Sequence, residues 1–544
     1  MSFNYSKSNL SEKEKRLQRF LEILPGICSW SILLGILFLS IFDPLRASII
    51  AIALIFFWFI RLIYLTILLT ISYLRFNIER KTEWLKRIKE IDDLHQHLTF
   101  KNAFESASFN DFISVGIHKN NLKKLMQCKS LPPLSSDIYH VVIIPAAKEG
   151  EEIIRPGIVS LAEQEFSTHQ MLIVFAVEER APSATKEAAL RLQEEYKTHF
   201  MDFLVIFHPA GLPGEARVKG ANASYAAEHC SQYLEKKKID FSQVVVSCFD
   251  ADTVVDKKYF SALTYSFMTS PDRDHTSYQP IPVYHNNIWN VPPFSRVMET
   301  GSSFFQLIES TNPEKLVTFS SHSMSFKALV EIGYWPRDMI SDDSAIFWKA
   351  YLFYEGKYQV MPIYATLSMD ATVAEDWVKT MKNIYKQRRR WAYGAENFPI
   401  LIRGFMQSPN ISLYNKIRHG FKMLEDHVSW ATWGFLLTTM SWLPALIAGH
   451  RFAHSVIYYN EPHIAQTIFQ LSTISLFIST ALSIAMLPDP EGEKPWKKKL
   501  GHILEWLTIP FVLVGLSALP ALDAQTRLMF GKYMEFWVTD KSRK

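Results

Sequence analysis

The sequence predicts an α/β domain on a mainly parallel sheet, flanked on both sides by membrane-spanning helices. Three observations predict it. Of 544 residues, 48% are hydrophobic, and the mean hydropathy of +0.01 is too high for an ordinary soluble enzyme of this length. The apolar residues gather in runs at the two ends of the chain. Between them, short apolar strand-like runs alternate with helical stretches, the pattern of a parallel sheet with crossover helices.

At the N-terminus, residues 23–42 and 47–74 are each apolar and long enough to cross a bilayer. Lys7, Lys13, Lys15, Arg16 and Arg19 precede the first run. A basic start before one apolar run also describes a signal peptide. The second run, reached through Asp43 and Pro44, instead predicts a transmembrane hairpin over residues 1–78. Arg61 inside that run needs a partner, a polar path or a route to the interface, and pairing with another helix is the favoured outcome.

Residues 79–135 read as a cytoplasmic helical connector, charged over 79–105, with Trp84, Ile88, Ile91 and Leu94 at helical spacing. The central domain is expected over 136–404, with strands at 140–145, 171–177, 203–208 and 244–249. An interfacial helix is expected over 405–426 and a transmembrane region over 427–544, with apolar runs at 428–448, 464–486 and 503–519.

Lys494, Lys497, Lys498 and Lys499 place the loop after residue 486 in the cytoplasm, and residues 458–463 then lie outside. The last run contains Pro510 and Pro520 and leads to Lys541, Arg543 and Lys544. One crossing would put that basic tail outside, and a re-entrant pair of half-helices would keep it inside; both readings stay open. The expected location is an inner or plasma membrane, multi-pass, with the central domain cytoplasmic.

A net charge of +4 is too small for a nucleic-acid partner. Cys28, Cys128, Cys230 and Cys248 show neither zinc-ligand spacing nor a disulfide framework.

Six motifs follow in order. VVIIPAAKEGEE carries a strand into a turn, where Glu149 can accept from a ribose or base. LIVFAVEER ends in Glu178 and Glu179, and a carboxylate there can accept from the imide N–H of uracil. Loop acids without a ligand describe either site equally well. Lys219 in ARVKGANA stands ahead of a helix beside Gly220, suited to phosphates. A solvated lysine is the plain alternative.

VVVSCFDADTVV delivers Asp250 and Asp252 to a strand end, where the pair can hold one Mg²⁺ or Mn²⁺ and through it a diphosphate. Asp-x-Asp alone is expected by chance roughly once in such a chain; its place directly after a strand gives it weight. In ISDDSAIFW, Asp342 and Asp343 precede an amphipathic helix, as capping acids or as a general base toward an acceptor hydroxyl. In QRRRWAYG, Gln387, Arg390 and Trp391 lie on a basic amphipathic helix. The arginine can neutralise a leaving diphosphate and the indole can stack on a sugar.

Read together, these motifs resemble the membrane-integrated members of glycosyltransferase family 2, which include cellulose synthase and hyaluronan synthase. The resemblance covers residues 138–400 and the flanking helices. It implies a GT-A (Rossmann-like) fold, an inverting displacement at the anomeric carbon and a divalent metal, Mg²⁺ or Mn²⁺. By the same resemblance Asp250 and Asp252 bind the metal, Asp343 is the second acid of the base motif, and Gln387, Arg390 and Trp391 lie near acceptor and diphosphate. The implied partners are a nucleotide sugar, with UDP favoured, a glycan or lipid-linked acceptor, and the bilayer.

The chain departs from the family at Lys148-Glu149, where Asn-Glu is common, and at Glu178-Glu179-Arg180, where Asp-Asp-Gly or Asp-Asp-Ser is common. The acceptor-side segment, usually glycine-containing, reads FSSHSMSF around His322. A non-catalytic transporter or receptor with a degenerate nucleotide-binding domain is the competing reading.

Overall fold

The computed structural model describes residues 3, 5–8, 10–96, 109–128, 131–447, 456–490 and 495–534. Helices α1 (Glu12–Phe42) and α2 (Pro44–Glu79) are separated by Asp43 alone. Ser11 and Glu14 form a capping box at the start of α1. Asp43 accepts from the Arg46 amide, with Pro44 at the first helical position, where its missing N–H costs nothing. Helices α3 (Trp84–Asp92) and α4 (Phe109–Gln127) follow.

Strands and helices then alternate: β1 (Tyr139–Ala146), α5 (Glu151–Ala162), β2 (Met171–Glu178), α6 (Ser183–Tyr196), β3 (Asp202–His208), α7 (Lys219–Lys237) and β4 (Val244–Cys248). The second half runs β5 (Val254–Val255), α8 (Tyr259–Thr269), β6 (Thr276–Val283), α9 (Pro293–Ser310), β7 (Ser323–Ser325), α10 (Phe326–Glu331), α11 (Asp342–Phe353), β8 (Gln359–Ser368) and α12 (Trp377–Ala392).

All eight strands share one sheet in the order β3-β2-β1-β4-β7-β6-β8-β5. Strands β1 to β4 pair in parallel, β7 is antiparallel to both β4 and β6, and β6 is parallel to β8. Alternation along each strand serves two cores. Val142, Ile144, Ile173 and Phe175 face one; Val141, Ile143, Leu172 and Val174 face the other. This is the GT-A arrangement that the resemblance implies. It brings the C-terminal ends of β1, β2 and β4 to one edge of the sheet, where open α/β sheets bind ligands.

The C-terminal part contains α13 (Asn397–Gln407), α14 (Leu413–Thr438), α15 (Leu443–Ile447), α16 (Val456–Met486) and a final helical rod. Four helices are long and apolar enough to cross a membrane: α1, α2, residues His463–Met486 of α16, and the rod Trp496–Met529. Arg61 on α2 pairs with Glu425 on α14, and its guanidinium lies 5.0 Å from the centre of the Trp58 ring. The expected helix–helix pairing is therefore present.

Several expectations need correction. Residues 428–448 do not form one span: α14 stops at Thr438, a 3₁₀ turn over Met440–Trp442 intervenes, and α15 is short. The helix expected over 405–426 is interrupted between α13 and α14, and α14 begins at Leu413 under a Ser412 cap. Helix α11 is not amphipathic, because Ala345, Ile346, Phe347, Trp348, Ala350, Tyr351 and Leu352 are all buried. The sequence reading also omitted β5, β6, β7 and β8. The end of the charged connector, residues 97–105, and Lys494, Lys541, Arg543 and Lys544 lie outside the described residues.

Helix α5 is seated on the loop that follows β4. A Cβ at Gly157 would lie 2.6 Å from the Thr253 carbonyl oxygen. Alanine in place of helical glycine ordinarily stabilises by about 1 kcal/mol. Here the clash reverses the sign, and Gly157→Ala should destabilise by about 1–3 kcal/mol, read as a lowered melting temperature in detergent. A raised melting temperature would contradict this packing.

Candidate active site

Strand β4 is buried along its whole length and ends at Cys248, with Phe249 leading to Asp250. The turn that follows is closed by the Thr253 amide, which donates to the Asp250 carbonyl at 2.9 Å. Asp250 stays about one third exposed, whereas Asp252 is fully buried and its Oδ2 accepts from the Asp370 amide at 2.9 Å.

The first residue of α7 closes the cluster. Lys219 Nζ donates to Asp250 Oδ1 at 2.7 Å and to Asp343 Oδ1 at 3.0 Å. Burial disfavours its charged form, but Asp250 and Asp343 outweigh that and raise the lysine pKa well above its ordinary value. Glycine is required next to it: a Cβ at Gly220 would lie 2.5 Å from the Pro336 carbonyl oxygen and 3.0 Å from Asp342 Cβ. The short side chain lets α7 and α11 meet at their starts.

Asp342 and Asp343 are the first two residues of α11 and point to different surroundings. Asp343 is partly exposed beside Lys219. Asp342 is buried against α7, and burial, then the neighbouring Asp343 charge, raise its pKa well above the ordinary range. His322 is fully buried; its Nδ1–H donates to the Phe319 carbonyl at 3.0 Å and lies 4.0 Å from Asp343 Oδ1. Burial lowers the His322 pKa to about 4, so the imidazole is neutral.

Helix α12, capped by Asp376 through the Lys379 amide, carries the basic motif. Burial lowers the Arg390 pKa, while Asp250, Asp342 and Asp343 work to raise it, which places this cation beside the three acids. Gln387 accepts from Thr372 Oγ1 at 3.0 Å. Trp391 is fixed from two sides. The Phe319 ring meets it edge-on at 5.5 Å, and the Arg388 guanidinium lies 4.2 Å from its centre. Arg388 is in turn paired with buried Glu299 at 2.5 Å.

The acids after β1 and β2 share the same sheet edge. Glu149 accepts from the Ala147 and Lys148 amides at 2.8 and 2.9 Å. Glu179 accepts from the Ala210 amide at 3.1 Å. Glu178 is buried and lies 3.5 Å from His208 Nδ1 and 3.4 Å from Arg180 Nε. The structure thus joins Lys219, Asp250, Asp342, Asp343 and Arg390 in one cluster, with Asp252 behind it. It holds Glu149, Glu178 and Glu179 in separate local networks at neighbouring strand ends.

The sequence reading missed Ser320, Asp370, Arg388 and Glu299. Asp370 could have been found by its place after a strand, had β8 been foreseen.

Among the described residues, no group of three or more His, Cys, Asp or Glu converges as a ready-made metal cage. The donors fit Mg²⁺ or Mn²⁺ nonetheless, since such cations take one or two carboxylates and complete their shell with substrate phosphates. Asp250 already faces a cation, the Lys219 ammonium.

His208 gives a pH test. It is buried between Glu178 and Glu215, the latter 2.9 Å from Nε2. Burial lowers its pKa, but both carboxylates outweigh burial and the net shift is upward. A raised folded pKa means that its stabilisation is complete below about pH 6.5 and is lost as pH rises through the folded value. His208→Gln should remove that part of the pH dependence of the melting temperature. An identical profile in the variant would contradict the assignment.

Residues 245–487 match the model of a family described as Glycosyl transferase family group 2. A poly-beta-1,6-N-acetyl-D-glucosamine synthase of Staphylococcus epidermidis is 26% identical over 307 residues, 54% of this chain and 68% of that protein. The synthase of the same name from Staphylococcus aureus strain COL is 28% identical over 199 residues, 35% of this chain and 43% of that protein. Among solved structures, a mannosyltransferase from Pyrobaculum calidifontis in complex with GDP-Man and Mn²⁺ aligns with a TM-score of 0.40 at 13% identity, over 83% of this chain and 100% of that one. The segment similar to that family starts on β4, contains the acids of α11 and the basic helix, and ends with α16, which supports a glycosyltransferase.

Proposed function

We propose that this chain transfers a sugar from a nucleotide-diphosphate donor to a glycan or lipid-linked acceptor, with inversion, at the cytoplasmic membrane face. The observation that carries the reading is the Lys219 ammonium held between Asp250 and Asp343 at the C-terminal sheet edge. The relatives named as poly-beta-1,6-N-acetyl-D-glucosamine synthases support synthesis of an N-acetylglucosamine polysaccharide, and the motif resemblance favours UDP as the carrier. The transporter or receptor reading gives way to the family match.

In this mechanism Asp343 accepts the proton of the acceptor hydroxyl, whose oxygen bonds to the anomeric carbon as the bond to the diphosphate breaks. Negative charge grows on the leaving diphosphate, and Lys219 and Arg390 are the cations placed to meet it. A divalent cation held by Asp250 and Asp252 would supply further charge neutralisation there. Trp391, held by Phe319 and Arg388, offers an aromatic face for a sugar. Glu149, Glu178 and Glu179 line the side assigned to the nucleoside, and Gln387 braces the acceptor side through Thr372.

The base assignment separates two neighbours. Asp343 is partly exposed beside the cluster, whereas Asp342 is buried against α7. Asp343→Asn should cut transfer roughly 10²–10⁴-fold with donor binding nearly unchanged. Asp342→Asn should cost less. The reverse order in a sugar-transfer assay would move the base by one residue, and normal transfer by both variants would remove it.

Two ties to the catalytic domain support a re-entrant final rod, with the domain and both rod ends on one side. Near its start, Glu505 pairs with Arg296 of α9. Near its end, Asp523 pairs with Arg389 of α12 at 2.8 Å, and Arg19 donates to the Leu528 and Met529 carbonyls. The domain boundaries we assign are a hairpin to residue 78, a connector to 135, the catalytic domain to 404, an interfacial stretch to 426 and a membrane region beyond. Cysteines placed at positions 498 and 532 should label from the catalytic-domain side of sealed vesicles, and one at 459 from the other. Protection of 532 together with 459 would replace the re-entrant rod by a full crossing.

A further inference from the structure

Among the described residues, the non-glycine positions with positive φ are Lys238, Ser321, Tyr334 and Glu355. Lys238, Tyr334 and Glu355 follow the ends of α7, α10 and α11, where a left-handed residue closes the last helical turn. Ser321 does not. It precedes β7, has φ of 61° and is fully buried. A Cβ makes this backbone costly, and glycine would adopt it freely. A backbone outlier that its surroundings hold in place is a place to look for function.

What serine has and glycine lacks is the hydroxyl. Ser321 Oγ accepts from the Asp250 amide at 3.1 Å and pairs with Thr253 Oγ1 at 2.9 Å. It therefore fastens both ends of the turn that carries Asp250 and Asp252. Its neighbours reach the rest of the site. Ser320 Oγ donates to Asp250 Oδ2 at 2.5 Å, Phe319 meets the Trp391 ring, and the His322 carbonyl accepts from the Cys248 amide at 3.0 Å.

We propose that Ser321 is a positioning residue for the Asp-x-Asp turn, kept in a left-handed conformation so that its hydroxyl fixes Asp250 for cation and diphosphate binding. The proposal rests on the reading that Asp250 holds the donor's diphosphate through a divalent cation.

The test compares Ser321→Gly with Ser321→Ala in the purified full chain. Both remove the hydroxyl, and only glycine also removes the backbone cost. Mn²⁺ binding in the presence of UDP is followed by electron paramagnetic resonance, which needs no turnover, and melting temperature is measured alongside. Both variants should weaken Mn²⁺ binding on the order of tenfold. The melting temperature should fall in Ser321→Ala and hold or rise in Ser321→Gly.

Wild-type Mn²⁺ affinity in Ser321→Gly overturns the proposal. Weak binding together with a lowered melting temperature in Ser321→Gly overturns it too, because the hydroxyl would then be serving stability. If the unmodified chain binds no Mn²⁺ with UDP, or Asp250→Asn binds it normally, the donor-site reading itself has failed and the proposal falls with it.

Discussion

Lys219 Nζ lies 2.7 Å from Asp250 and 3.0 Å from Asp343, and the three residues come from the start of α7, the end of β4 and the start of α11. Asp250, Asp342 and Asp343 act on that ammonium, and the same three acids act on Arg390. Charges grouped this way in a partly buried site need opposite charges close by. The packing around the lysine follows from this demand. Gly220 lets α7 close onto Pro336 and Asp342, and the Ser320–Ser321 pair holds Asp250 from the far side.

The site is also bound to the membrane part. Helix α12 carries Gln387, Arg390 and Trp391 on the domain, while Arg389 and Tyr385 of the same helix hold Asp523 of the final rod. Arg403 on α13 donates to Gln18 of α1 at 2.8 Å. The rod therefore touches the helix that faces the acids, and α1 touches the helix that follows it. This joins a soluble-type sheet to helices long enough to span a bilayer.

Strands β1, β2 and β4 were legible because each is a near-continuous apolar run, as parallel strands buried on both faces must be, and β3 was legible as an apolar run although it is the half-buried edge strand. Strands β6 and β8 were not, since Pro280, Pro282 and Pro362 argue against interior strands; the pairing accommodates them with a register shift after Pro280. Asp250, Asp343, Lys219 and Arg390 were legible because each stands at a local boundary that the sequence displays. Ser321 was not. Its bond to Asp250 spans 71 positions and exists only because β7 pairs antiparallel with β4. The apolar run 428–448 misled because apolarity alone does not reveal where a helix breaks.

The most direct test of the account is a cryo-electron microscopy structure of the chain in lipid nanodiscs with UDP and Mn²⁺. The account predicts cation density between Asp250 and the diphosphate, backed by Asp252, with Lys219 Nζ moved from its carboxylates onto a phosphate oxygen. Diphosphate density away from the β4 end, with Lys219 still bridging Asp250 and Asp343, would contradict it.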